Sequence, residues 1–277
     1  DEVIIPTPYW VSYGDQVKLA EGLPVFVQAK EDNHFKVTVE QLEAARTDKT
    51  KVLVLNSPSN PTGMIYSREE LLAIGNWAVE YDILILADDI YGRLVYNGNE
   101  FVPISSLSEA IRKQTIVING VSKAYAMTGW RVGYAVGDPE IIAAMSKLTG
   151  QTTSNLTAVS QYATIEALTG PQDSVEAMRQ AFEERLNTIY PLLCQVPGFE
   201  VVKPQGAFYL FPNVKKAMEM KGYTDVTAFT TAILEEVGLA LITGAGFGAP
   251  ENIRLSYATD LDKLKEAIRR LHLFMEK

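Results

Sequence analysis

Ser122-Lys123-Ala124-Tyr125-Ala126-Met127-Thr128-Gly129-Trp130-Arg131-Val132-Gly133 sets a lysine just past the apolar run Ile116 to Ile118, and an arginine eight positions after that lysine. A lysine amine condenses with an aldehyde, and an arginine holds a phosphate on the same small molecule. The stretch lies within an alternation of short apolar runs and helical patterns. Lys51 to Leu55 and Ile83 to Ala87 are continuous apolar strands, Thr115 to Asn119 is a third, and Arg131 to Val136 is a fourth. Between them, Ser67 to Glu70 has the form of a capping box, after which Leu71, Ile74, Ala78 and Tyr81 recur at helical spacing. A short helix is expected near Leu107 to Ile111, and another over Pro139 to Lys147. Strands apolar on both faces and separated by helices imply a mostly parallel sheet covered on both sides, an α/β architecture.

Beyond the sheet the character changes. Gln151 to Ala167 reads as a loop leading into a helix, and Val175 to Leu193 as a long amphipathic helix stopped before Pro197-Gly198. Glu200 to Val202, Ala207 to Phe211 and Asn252 to Tyr257 are strand candidates, and Asp225 to Val237 is helical. The last helix is expected to open with Thr259 as its cap. This half is α+β, and the division is placed inside the long helix, giving domains over residues 1–180 and 181–277.

Ligands of open α/β sheets sit at the carboxyl ends of the strands. Asn60 follows the strand ending at Leu55, Asp88 follows Ala87, and Lys123 follows the strand ending at Asn119. One pocket would then collect an amide, a carboxylate and an amine. Each residue also has an ordinary structural role open to it: Asn60 starting a turn, Asp88 capping a helix, Tyr91 filling core, Arg131 pairing at the surface. Their occurrence in order at successive strand ends favours a shared site. The set suits pyridoxal 5'-phosphate (PLP). Lys123 would form the Schiff base, Asp88 would keep the ring nitrogen protonated, and Arg131 would take the phosphate. Asn60 and Tyr91 would hydrogen-bond the phenolic oxygen.

Ser57-Pro58-Ser59-Asn60-Pro61-Thr62-Gly63, Ala87-Asp88-Asp89-Ile90-Tyr91, and Ser122-Lys123 through Gly129-Trp130-Arg131-Val132-Gly133-Tyr134 together resemble the fold-type I PLP-dependent aminotransferases, most closely bacterial class I aspartate aminotransferases. The resemblance extends to Pro8-Tyr9-Trp10, Gly206-Ala207-Phe208-Tyr209 and Asn252-Ile253-Arg254-Leu255-Ser256-Tyr257. It implies a PLP-transferase-like large domain plus a smaller C-terminal domain. It also implies that Trp10 stacks on the cofactor ring and meets substrate, that Asn60 contacts both, and that Arg254 grips the substrate α-carboxylate. Two departures stand out. Gly120 occupies a place where many members carry a hydroxyl, which leaves Ser122 and backbone amides as candidate phosphate ligands. The family's N-terminal arm and its glycine-rich phosphate turn have no counterpart before Trp10. The chain is therefore expected to be an N-terminally truncated aminotransferase, its large-domain sheet incomplete, weak or inactive alone.

The implied reaction moves an amino group between L-aspartate and 2-oxoglutarate. Two alternatives remain: another class I PLP enzyme (an aromatic or branched-chain aminotransferase, or a carbon–sulfur lyase), and the non-catalytic PLP-binding sensor half of a regulator. A net charge of −9 lacks the positive footprint of a nucleic-acid or anionic-membrane binder. The single cysteine, Cys194, excludes an internal disulfide and fits a reducing cytoplasm. His34 and His272 have no metal-ligand spacing around them. The intact enzyme is expected to be a homodimer.

Overall fold

The structure, a computed structural model, describes residues 1–276. The first half winds a sheet with its helices. Strand β1 (Glu2–Thr7) leads through helix α1 (Ser12–Leu19) to β2 (Leu23–Gln28), and α2 (Val39–Ala45) precedes β3 (Thr50–Asn56). Then come α3 (Arg68–Glu80), β4 (Leu84–Asp88), α4 (Glu109–Lys113), β5 (Thr115–Gly120) and β6 (Gly133–Val136). The strand order is β2-β1-β3-β4-β5-β6. Every neighbouring pair is parallel except β5 and β6, which run antiparallel. The apolar runs form strands because both faces are covered. Ile4, Leu53 and Ile85 are fully buried, packed with Leu71, Ile74 and Trp77 of α3, each such side chain contributing about 1.5–3 kcal/mol on leaving water. The capping box is formed as expected: Glu70 N–H donates to Ser67 Oγ at 3.2 Å, and Ser67 N–H donates to the Glu70 carboxylate.

The second half begins with α5 (Pro139–Thr152), α6 (Ala158–Thr169) and the long α7 (Asp173–Leu193). It continues with β7 (Tyr209–Leu210), α8 (Lys215–Met220), α9 (Val226–Val237), β8 (Ile242–Thr243), β9 (Ile253–Ser256) and α10 (Leu261–Glu276). A small sheet, β7-β9-β8, lies among these helices. Phe182, Leu186, Phe229, Ile268 and Phe274 of α7, α9 and α10 share one core. Tyr91, Leu94 and Tyr96, from the segment after β4, join that second core rather than the first.

Three local expectations are corrected. Glu200 to Val202 forms no strand, only a bridge between Glu200 and Asn213, because the run is too short and polar at its start to build a ladder. Arg131 precedes β6 instead of opening it, with φ of 56° at the end of the 3-10 turn Thr128–Trp130. The cap of α10 is Asp260, whose Oδ1 accepts from Asp262 N–H at 2.9 Å. A carboxylate serves better than the Thr259 hydroxyl beside the positive end of a helix.

Candidate active site

The carboxyl ends of β3, β4 and β5 lie side by side, and the register pairs Asn56 with Asp88 and Asp88 with Ile118. Asn56 locks the neighbouring ends together. Its Nδ2 donates to Asp88 O and its Oδ1 accepts from Asn60 N–H, each at 2.8 Å. The Asn60 loop is tied from the other side as well, since Gly63 O accepts from Gln205 N–H at 2.9 Å and Gly206 N–H at 2.8 Å. Gly63 has φ of +69°, and a Cβ there would meet Pro204 Cβ at 2.6 Å, so glycine is required by both conformation and contact.

A cavity of about 390 Å³ opens above these ends, lined by Trp10, Asn60, Asp88, Tyr91, Lys123 and Arg254 together with Tyr13 and Tyr209. The lysine and the aspartate therefore face a single space. Lys123 Nζ stands 6.0 Å from the Tyr91 ring and 5.8 Å from the Phe208 ring. Burial lowers its pKa, the nearby Arg254 and Arg131 charges lower it further, and Asp88 opposes them. That favours a neutral, nucleophilic amine. Burial raises the Asp88 pKa, against the opposing pull of the Tyr13 hydroxyl, the Ile90 N–H and Lys123. Tyr13 OH donates to Asp88 Oδ2, and Ile90 N–H donates to Oδ1 at 3.2 Å. Asp89, its neighbour, turns to a different cavity, with Arg93, Tyr125 and Tyr134.

Arg254, on β9, reaches into the same space. Its Nη1 donates to Asn60 Oδ1 at 2.8 Å, and its guanidinium lies between the Tyr209 ring at 4.5 Å and the Phe247 ring at 4.8 Å. Arg254 Nε is the one buried side-chain nitrogen or oxygen without a hydrogen-bond partner among the described residues, a donor in want of an anion. Trp10 meets Tyr13 edge-on at 5.3 Å and remains 38% exposed, which leaves its indole free to stack. Arg131 lies outside the cavity lining, exposed, with Nη1 donating to Thr128 O at 2.8 Å. Ser122 is half-buried in the turn before Lys123 and lines no part of the cavity. A side chain at position 120 would meet Val132 O at 2.8 Å, so the glycine there is set by the close β5–β6 crossing.

Tyr13, Asn56 and Tyr209 escaped the sequence reading. Tyr13 follows Trp10 by one turn, with its N–H donating to Trp10 O at 3.0 Å, and Tyr209 closes the Gly-Ala-Phe-Tyr motif. An amine and a half-buried carboxylate facing one cavity, beside a guanidinium whose Nε lacks an acceptor, fit PLP and a carboxylate substrate.

The model of "Aminotransferase class I and II" matches residues 1–271. The chain belongs to that family of PLP-dependent transaminases. Over its full length it is 77% identical to an asparagine–oxo-acid transaminase of Streptococcus mutans and 57% identical to an aspartate aminotransferase of Bacillus subtilis, spanning 70% of each. The crystal structure of the aspartate aminotransferase from Rhizobium meliloti superposes on all of the chain with a TM-score of 0.95 at 39% identity, 70% of that structure being covered.

Proposed function

We propose that the chain moves an amino group between L-aspartate and 2-oxoglutarate, with Lys123 as the catalytic amine. The observation that carries the reading is the opening of Lys123 and Asp88 onto one cavity with Arg254. PLP supplies an aldehyde carbon for an amine to attack and a ring that takes up the electrons left when a proton leaves the substrate α-carbon. Lys123 Nζ would hold the cofactor through that aldehyde. With the amino acid in its place, Lys123 Nζ would take up and move the proton of the α-carbon, a task its lowered pKa suits. Asp88, whose raised pKa Tyr13 and Ile90 pull back down against burial, would hold the proton on the ring nitrogen. Arg254 takes the α-carboxylate through its unpartnered edge. Because Asn60 Oδ1 is engaged by Arg254, its Nδ2 is left to donate to the cofactor's phenolic oxygen, beside the Tyr91 hydroxyl. Trp10 would cover the ring, and the outward guanidinium of Arg131 would hold the phosphate at the cavity's edge.

The 77% identity to an asparagine–oxo-acid transaminase favours a second reading, with L-asparagine as donor at the same site. Assays at saturating PLP with both donors and 2-oxoglutarate separate the two, and Lys123→Ala should abolish turnover with either. Activity confined to aromatic amino acids, or elimination from a carbon–sulfur substrate, would overturn both. We assign residues 1–180 to cofactor binding and residues 181–277 to a smaller domain, a division supported by the two cores. We also assign a homodimer, supported by the exposed Val159, Tyr162 and Ile165 on α6; sedimentation as a monomer at micromolar concentration would refute it. No helix among the described residues is long and apolar enough to cross a membrane.

A further inference from the structure

Tyr209 has no part in the reaction as described, yet it touches both poles of the site. Its hydroxyl lies 2.7 Å from the Tyr91 hydroxyl, with both rings buried. Its ring face carries the Arg254 guanidinium at 4.5 Å. The position follows from β7: Tyr209 pairs with Ser256 of β9, two residues from Arg254. Burial pushes both phenols up, so each keeps its proton. Two protons then share one mutual hydrogen bond, and the second needs another acceptor. Either hydroxyl can donate to the other; the Arg254 guanidinium packed on the Tyr209 ring favours Tyr209 as the donor, an arrangement that would leave the Tyr91 O–H for the cavity.

We propose that Tyr209 is a positioning residue that couples the cofactor and substrate poles: its hydroxyl donates to Tyr91 and aims the Tyr91 proton at the cofactor's phenolic oxygen, while its ring supports Arg254. This rests on the roles given above to Tyr91 and Arg254. The two functions sit on different parts of one side chain, so substitution separates them. Tyr209→Phe removes only the hydroxyl; Tyr209→Leu removes the ring too.

Two readouts besides turnover follow, both on the chain saturated with PLP: the pH titration of the bound cofactor's visible absorbance, and succinate binding by calorimetry. A hydrogen bond to the phenolic oxygen stabilises its ionised form, so weakening that bond raises the titration midpoint. Tyr209→Phe should shift the midpoint upward by roughly 0.3 pH units, as expected when a cooperative bond is lost from behind a charge-assisted one. Its succinate affinity should stay within about twofold. Tyr209→Leu should show the same midpoint shift and bind succinate about fivefold more weakly, from the lost guanidinium–ring contact. In a Tyr91→Phe background, Tyr209→Phe should add no further shift, an outcome that a merely structural role would not produce. An unmoved midpoint in Tyr209→Phe, beside a clear shift in Tyr91→Phe, would overturn the coupling and leave the Tyr91 assignment standing. Additive shifts in the double variant would overturn it as well. Unchanged succinate affinity in Tyr209→Leu would refute the support of Arg254. If Tyr91→Phe leaves the midpoint in place, the role of Tyr91 falls first and the coupling with it. A parent chain without visible PLP absorbance would sink both readings.

Discussion

Asp89 stands out as a burden on the folded state at neutral pH. It is 7% exposed, and burial, together with the adjacent Asp88 carboxylate, pushes its pKa from 3.8 up to about 7. The folded protein therefore binds this proton more tightly than the unfolded chain does. For a carboxyl raised in this way, the stabilisation is fully present below pH 3.8 and is lost as pH climbs through about 7. Between pH 5 and pH 8 the loss amounts to roughly 3 kcal/mol for this one group, from linkage with those two values. Asp89→Asn keeps the shape and has no proton to lose. Urea unfolding of both proteins at pH 5, 6, 7 and 8 should show the variant gaining on the parent by roughly that amount across the range, most of it below pH 7. Arg93, Tyr125 and Tyr134 share the cavity with Asp89 and are unchanged by the substitution. A stability difference that stays constant from pH 5 to pH 8 would refute an Asp89 carboxyl titrating near neutrality.

Tyr13→Phe strips Asp88 of its hydroxyl donor. A hydrogen bond to a charged acceptor is worth about 1.5–3 kcal/mol, so PLP should bind roughly ten- to a hundredfold more weakly. The acid limb of the rate profile should also move to higher pH, because the Asp88 pKa, already raised, climbs further; equal PLP affinity in parent and variant would count against Asp88 as the ring-nitrogen partner. Arg254→Lys replaces a planar fork by a point charge and should raise KM for the amino donor by at least about tenfold, with kcat less affected; an unchanged KM would remove Arg254 from the carboxylate site. Gly63→Ala forces a Cβ at φ +69° against Pro204 and Gly206. It should cost about 2 kcal/mol or more in urea unfolding, and a loss below about 0.5 kcal/mol would show that the loop yields easily.

The central strands were readable because parallel neighbours bury both faces, which leaves unbroken apolar runs such as Val52 to Leu55 and Ile83 to Ala87. Edge strand β2 has only Val27 buried and carries Pro24, so neither its alternation nor its propensity announced it. The residues at the strand ends were legible as a constellation, since Asn60, Asp88 and Lys123 each follow a run that could be seen. The contacts supporting them were not. Tyr13 reaches Asp88 across 75 positions and Tyr91 meets Tyr209 across 118, and no local periodicity encodes such partners. Arg131 illustrates the reverse case: its motif was visible, but its left-handed backbone and outward side chain depend on how β6 turns back beside β5.

Helix α5 buries none of its 14 residues; past Ile142 every position through Thr152 is exposed, Met145 and Leu148 among them. A segment that leaves nothing in the interior is held by its backbone ladder and by its start, where Asp138 accepts from Glu140 and Ile141 and Pro139 fixes the first turn. A helix of that length is marginal by itself in water. Deuterium should therefore enter α5 through fraying, long before the core strands release their protons, and at a rate indifferent to substitutions beneath the sheet.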